Sequence, residues 1–85
     1  MANKIMFFTS QTCSRCRNVK KQIELLNATE LFDLVDIESD RGKTLVETYS
    51  ITSLPTLMYK DNRVETVVLP KVLKDMIDKA RGDNE

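Results

Sequence analysis

The sequence contains no histidine and only 2 cysteines, Cys13 and Cys16. Without histidine, the chain can build neither a catalytic triad nor a cysteine–histidine nucleophile pair. A closed zinc site of four cysteine or histidine ligands is excluded as well. The two cysteines therefore act with each other or with a partner, and we expect no resident metal ion and no cofactor.

The chain also has no excess of either charge, because Lys and Arg total 13 and Asp and Glu total 13. Nucleic-acid-binding proteins normally carry a basic excess, so we expect no nucleic-acid partner. The longest apolar run near the N-terminus is Ile5-Met6-Phe7-Phe8. It is shorter than the roughly 7–15 residues of a signal-peptide core or the roughly 20 residues of a membrane span. We expect a cytoplasmic protein with no membrane partner, and in a reducing compartment two cysteines are seldom a structural disulfide.

A length of 85 residues suits one domain, which we take to span 1–85. Apolar runs and period-two patterns predict strands over 4–9, 31–37, 56–59 and 64–69. Apolar residues spaced by three and four predict helices over about 13–27 and 41–49 and from Pro70 onward. Thr12 is a candidate N-cap of the first helix, Asn62 a candidate left-handed residue of a turn over 60–63, and the tail over 82–85 is expected to fray.

The predicted order is β-α-β-α-β-β-α. Strands separated by helices imply parallel crossovers, and the tight turn near the C-terminus adds an antiparallel pair. The fold class is therefore α/β, with a four-stranded mixed sheet and helices on both faces.

The chemistry is concentrated in Cys13-Ser14-Arg15-Cys16. Cys13 falls at the first turn of a helix, where free N–H groups and the helix dipole favour a thiolate. A thiol with a free pKa of about 8.5 can fall to about 7 or lower at such a position. Arg15 adds a cation, and no acidic residue lies between Gln11 and Lys21. We predict that Cys13 is the nucleophile that attacks a partner's disulfide, and that Cys16 resolves the mixed disulfide.

Two other interpretations of this motif remain open. Both cysteines can be core thiols without chemistry, since free cysteine is often buried as a small hydrophobic residue. The motif is also similar to the Met-Thr-Cys-x-x-Cys loop of small copper chaperones, in which two thiolates bind a soft metal ion for transfer. Those proteins have the order β-α-β-β-α-β, however, and usually carry methionine where this chain has Gln11.

A second motif, Thr52-Ser53-Leu54-Pro55-Thr56, resembles the cis-proline segment of the thioredoxin superfamily. Together with the CxxC motif, the resemblance extends from Ile5 to Ala80 and implies the minimal thioredoxin fold, without the extra N-terminal strand and helix. It implies a cis Pro55 beside Cys13, with the backbone of Leu54 pairing with an extended substrate. Thr12, Ser14 and Arg15 then complete the substrate-binding surface.

Several residues depart from the family pattern. The tetrad is neither the Cys-Gly-Pro-Cys of thioredoxins nor the Cys-Pro-Tyr-Cys of many glutaredoxins, and Phe7 stands where thioredoxins place a buried aspartate. No glycine lies between Gly42 and Gly82, whereas glutaredoxins hold glutathione with a Gly-Gly pair that would fall in the region 67–70.

The resemblance favours a monomeric protein-disulfide reductase that acts on protein disulfides and is recharged by a thioredoxin reductase-like enzyme. The alternative is a glutaredoxin-type enzyme that uses glutathione as its reductant, or an electron donor to ribonucleotide reductase.

Overall fold

The apolar run near the N-terminus forms the buried first strand, as its sequence predicts. In the computed structural model, which describes residues 4–60 and 62–83, this strand is β1 (Ile5–Thr9). The other strands are β2 (Phe32–Asp36), β3 (Thr56–Tyr59) and β4 (Asn62–Glu65). The helices are α1 (Ser14–Leu25), α2 (Asp40–Tyr49) and α3 (Pro70–Asp83), and a short 3-10 turn (Thr29–Leu31) precedes β2.

The four strands form one mixed sheet in the order β2-β1-β3-β4. β1 and β2 are parallel, with Phe7 opposite Leu34, whereas β3 is antiparallel to both β1 and β4. The predicted element order and the predicted mixed sheet are both confirmed. Because β3 runs against β1, its first residue lies at the end of the sheet where β1 finishes.

Alternating side chains of β1 enter two separate cores. Ile5 and Phe7 lie on one face of the sheet, in a cluster with apolar residues of α1 and α3. Phe8 lies on the opposite face with Val35, and partly buried residues of α2 pack against them. This alternation follows from the period-two geometry of a strand and places helices on both faces.

The ends of several elements differ from the sequence predictions. β2 is shorter than the predicted 31–37, because Leu31 belongs to the 3-10 turn, and α2 begins one residue earlier than predicted, at Asp40. α1 ends at Leu25 rather than at Asn27, which adopts a left-handed conformation with φ of 52°. A left-handed residue just beyond the last turn is a common way to end a helix.

The last hairpin differs most from its prediction. Tyr59 pairs with Asn62, so the loop has two residues, and the left-handed residue is Lys60 (φ 53°) rather than the predicted Asn62. Asp61 lies outside the described residues. β4 ends at Glu65 instead of continuing to Leu69, because Thr66 has a φ of 66° and turns the chain out of the sheet.

The C-terminal prediction is also wrong for Gly82 and Asp83, which belong to α3. Asp83 accepts hydrogen bonds from the hydroxyl of Tyr59 and from Lys60, so the last turn is tied to the hairpin. The Tyr59 hydroxyl, together with Lys60, holds the pKa of the Asp83 carboxyl below its usual value. Asn84 and Glu85 of the predicted frayed tail lie outside the described residues.

An ion pair between Arg41 of α2 and Asp33 of β2 joins the helix to the edge of the sheet. A hydrogen bond from the guanidinium group lowers the pKa of the Asp33 carboxyl. Both side chains are partly exposed, so the pair contributes little to stability. Among the described helices, none is long and apolar enough to cross a membrane.

Gly42 permits the closest approach of α2 to the sheet. It lies in the first turn of α2, where the Ser39 hydroxyl oxygen accepts a hydrogen bond from its N–H at 2.9 Å. A Cβ at this position would overlap the carbonyl oxygen of Asp36. Because the obstructing atom belongs to the backbone, no side-chain rotation relieves the overlap.

We expect Gly42→Ala to lower the free energy of unfolding by about 1–3 kcal/mol, the cost typical of overpacking a buried site. Urea denaturation followed by circular dichroism measures this change. Gly82→Ala is the matched control, because nothing lies within 4 Å of a Cβ at that position. It should leave stability unchanged or raise it by up to about 1 kcal/mol. Equal stability of the two variants would contradict this account of the α2 contact.

Candidate functional site

Cys13 and Cys16 lie at the point where β1 gives way to α1. A short turn over 10–12 follows β1, and the N–H of Cys13 donates to the carbonyl of Ser10 at 3.3 Å. The two cysteines form a disulfide across the first turn of α1, with Cα atoms 5.2 Å apart. This separation is within the normal range for a disulfide, so the pair closes within the regular start of the helix.

The N-cap of α1 is Cys13, not the predicted Thr12. The Sγ of Cys13 accepts a hydrogen bond from the N–H of Cys16 at 3.1 Å, the position that a hydroxyl oxygen would otherwise take. Thr12 is one residue too early for this role and is exposed, with its hydroxyl 3.3 Å from that of Ser10. The free N–H group of Cys16, in the first turn of α1, therefore donates its hydrogen bond to the sulfur of Cys13.

The two sulfurs have different surroundings. Cys13 is half-buried, whereas Cys16 is only 1% exposed and belongs to the same core cluster as Phe7 and Val19. A partner's disulfide can reach Cys13 but not Cys16. This arrangement supports the predicted roles of nucleophile and resolving cysteine, which stay predictions.

All the charged residues of the sequence around the pair, over 11–21, are cationic. Arg15, Arg17, Lys20 and Lys21 are all exposed, and α1 has no acidic residue in its first turn. Positive charge here adds to the field of the helix N-terminus, and both favour an anionic sulfur in the reduced protein. Ser14, the first residue of α1, is exposed beside Cys13.

The bond between Leu54 and Pro55 is cis, as the resemblance implies. Pro55 is fully buried, and its carbonyl accepts a hydrogen bond from the N–H of Thr66 at 2.8 Å. The Thr66 hydroxyl also hydrogen-bonds with that of Ser53 at 2.9 Å. The segment that leaves β4 is thereby fixed against the cis-proline segment.

A groove of about 300 Å³ lies between α1 and this fixed segment. We call it the Arg15 groove. One wall is polar and comes from α1, the other is largely apolar, and its lining consists of Arg15, Asn18, Val19, Gln22, Pro55, Thr66, Val67 and Val68. Arg15 and Pro55, both predicted to bind substrate, therefore share one groove beside the redox pair. Leu54 is half-buried and packs against both cores.

A second opening, of about 360 Å³, lies on the other side of α1, and the buried Cys16 is one of its lining residues. We call it the Cys16 cavity. Its lining consists of Thr9, Ser10, Gln11, Cys16, Arg17, Lys20, Leu34 and Asp36. Asp36 provides the carboxylate in this lining, while Phe7, at the position of the family's buried aspartate, lies wholly inside the core.

The sequence did not identify either opening. The sequence predicted a strand over Thr66, Val67 and Val68. Their residue types do not indicate the left-handed conformation of Thr66. The position of Asp36 near the cysteines could have been inferred from the sequence, because this residue ends the strand that runs parallel to β1. The parallel register places it opposite Thr9, at the edge of the sheet that carries the cysteines.

A family model described as Thioredoxin matches residues 2–80. The chain belongs to the thioredoxin family. No curated protein sequence matches it significantly.

Solved structures of thioredoxins share the fold. A thioredoxin of Plasmodium falciparum is 29% identical with a TM-score of 0.65, over 89% of this chain and 83% of that one. A thioredoxin of Fasciola hepatica is 26% identical with a TM-score of 0.63, over 89% and 78%. Thioredoxin O2 of Arabidopsis thaliana, in its oxidised state, has a TM-score of 0.69 at 22% identity, over 92% and 75%.

Family membership and the CxxC pair together support a thiol–disulfide oxidoreductase. Thioredoxin-family proteins act on disulfides of other proteins, and the geometry above provides one accessible sulfur and one protected sulfur for that reaction.

We expect the two thiols of the reduced protein to differ in reactivity with iodoacetamide. Cys13 should react first and with a titration midpoint below the roughly 8.5 of free cysteine, because the Cys16 N–H and the helix dipole stabilise its thiolate. Cys16 should be protected until the protein unfolds. Mass spectrometry after alkylation between pH 5 and 9 measures both, with the urea-unfolded protein as control. Equal rates with a shared midpoint near that of free cysteine would contradict the assignment.

Proposed function

We propose that this protein is a thioredoxin-type reductase of protein disulfides, working through Cys13 and Cys16. The observation that carries the proposal is the contrast between the two sulfurs. Cys13 is accessible and accepts a helix N–H at 3.1 Å, and Cys16 is buried directly behind it.

The reaction begins with the reduced protein. The Cys13 thiolate attacks one sulfur of a partner's disulfide, a mixed disulfide forms, and the partner's other sulfur leaves as a thiolate. Cys16 then loses its proton and attacks the Sγ of Cys13. The Cys13–Cys16 disulfide forms, and the partner leaves fully reduced. Two electrons pass to the partner, and its two sulfurs take up protons from solvent.

The start of α1 favours each of these steps. The Cys16 N–H and the cations of α1 keep Cys13 in the thiolate form that attacks in the first step, and in the second step the partner's sulfur is the leaving group. The Cα separation of 5.2 Å allows Cys16 to reach Cys13 without backbone rearrangement. The buried position of Cys16 keeps it from being captured by a second partner.

The lining of the Arg15 groove favours a protein reductant over glutathione. Val67 and Val68 project side chains where a glutathione-binding protein of this fold offers glycine backbone, and Val67 is 58% exposed. Backbone N–H groups that are covered by side chains hold a carboxylate less well. We therefore assign regeneration to a thioredoxin reductase-like enzyme, and we place the protein in the cytoplasm, where protein dithiols are kept reduced.

Cys16→Ser should trap the partner. With no resolving thiol, the mixed disulfide through Cys13 accumulates and is visible on a non-reducing gel when the reduced variant is mixed with insulin. Cys16→Ala should behave in the same way, which separates the loss of the thiol from any effect of a buried hydroxyl. Cys13→Ser should give no adduct and no insulin reduction. An adduct of equal yield with Cys13→Ser would contradict the assignment of the two roles.

The reductant is tested by supplying NADPH with either thioredoxin reductase or glutathione and glutathione reductase, with insulin as the oxidised substrate. We expect the first system to support faster turnover, because one missing contact of about 1.4 kcal/mol to the tripeptide slows the glutathione system about tenfold. Faster turnover with glutathione would move the protein to the glutaredoxin type, including the donors of electrons to ribonucleotide reductase.

A further inference from the structure

The arginines of this chain divide into two groups. The sequence has 5 of them. Three bind carboxylates or main-chain carbonyls of the chain itself: Arg41, Arg63 and Arg81. The other two, Arg15 and Arg17, lie on either side of Cys16.

Arg15 and Arg17 have no such partner in the part of the chain that the structure describes. Neither forms an ion pair or a side-chain hydrogen bond with residues 4–60 or 62–83. Both are exposed. An arginine that is paired within the fold is already occupied, whereas an exposed and unpaired one is available to an anionic partner in a planar, two-point contact.

Each of these arginines lines one of the two openings beside the redox pair. Arg15 lines the Arg15 groove, where no lining residue is acidic. Arg17 lines the Cys16 cavity together with Lys20, and there Asp36 offsets part of the positive charge. Both linings have a net charge of +1, but only the Arg15 groove has no carboxylate that would repel an anion or compete for the arginine.

The opposite wall of the Arg15 groove is apolar. Val67 is 58% exposed, Val68 is half-buried, and Pro55 closes the floor. This combination of one cation and an exposed aliphatic surface matches an extended segment that has a carboxylate next to an apolar side chain. A small anionic disulfide would supply a charge for Arg15, but it would leave Val67 and Val68 exposed to solvent.

We propose that the Arg15 groove selects protein disulfides whose neighbouring residues are acidic and apolar, with the carboxylate on Arg15 and the apolar side chain on Val67. This inference rests on the proposed function and adds the class of substrate to it. Attraction between the cations of α1 and an acidic segment raises the rate of encounter, and salt screens it.

The test uses the symmetric disulfides of three pentapeptides: Leu-Asp-Cys-Asp-Leu, Leu-Lys-Cys-Lys-Leu and Ser-Asp-Cys-Asp-Ser. Their symmetry makes the result independent of the direction in which the segment lies. The protein is reduced beforehand and mixed with each peptide, so one protein dithiol is oxidised for each peptide disulfide that is reduced. Each rate constant is divided by that for an uncharged phosphine reductant, tris(3-hydroxypropyl)phosphine, which removes the intrinsic reactivity of the peptide without adding a charge of its own.

At low ionic strength we expect the normalised rate for the acidic apolar peptide to exceed that for the basic one by about three- to tenfold. The ratio should fall towards one at roughly 0.5 M salt, where the screening length is only a few ångströms. Replacing leucine by serine in the acidic peptide should lower the rate about two- to threefold, because it removes a modest apolar contact with Val67.

Arg15→Gln should lower the acidic-to-basic ratio by about two- to threefold. A weaker thiolate at Cys13 slows both peptides equally and cancels in the ratio. Lys79→Gln is the control, because it also removes one positive charge. Lys79 lies on α3 beside Asn62, the first residue of β4, and is remote from Pro55. It should leave the ratio unchanged.

A ratio near one, or a ratio that Arg15→Gln does not change, would overturn the inference while leaving disulfide reduction intact. An equal effect of Lys79→Gln would also overturn it, because net charge rather than the groove would then be responsible. Failure to reduce any of the three peptides or insulin would overturn the proposed function itself.

Discussion

The sulfur of Cys13 is both the N-cap of α1 and the proposed reacting atom, and the rest of the site depends on this double role. The Cys16 N–H that begins the helix donates to it at 3.1 Å. The helix dipole acts on the same atom and favours negative charge there. Stabilising the thiolate raises the fraction of Cys13 that can attack but also stabilises the reduced protein, which weakens it as a reductant. The cations of α1 also stabilise the thiolate. The start of this helix therefore governs both the rate at which Cys13 attacks and the reduction potential of the Cys13–Cys16 pair.

The mixed sheet brings the remaining parts of the site to this atom. β1 ends where α1 begins, and β3, which is antiparallel to it, begins at the same end of the sheet. The CxxC motif and Pro55 are thus neighbours in space although about forty residues separate them in sequence. Thr66 then fixes the outgoing chain against Pro55 and shapes the groove that faces Arg15.

The sequence was sufficient to predict the features that depend on the periodicity of apolar residues. The run Ile5–Phe8 and the apolar spacing of α1 predicted a buried strand and an amphipathic helix, and from these the position of the CxxC motif followed. Pro55 was placed by resemblance, because local sequence rarely reveals a cis bond.

Features that depend on one atom or one dihedral angle were not predictable in this way. A sulfur as N-cap competes with a threonine one residue earlier, and residue preferences favour the threonine. The left-handed residues Lys60 and Thr66 lack the glycine or asparagine that normally marks such turns. The end of β4 and the shape of the Arg15 groove follow from those angles, so both were missed.

The tie between Asp83 and the hairpin has a practical consequence. Tyr59 and Lys60 lie at the end of β3 remote from Pro55, so the last turn of α3 is held at the pole opposite the cysteines. A tether attached at that turn, to a solid support or to a second protein, would present the reactive sulfur outward. Immobilisation by this route suits the capture of partners on a column, since the bait would be oriented by its own fold.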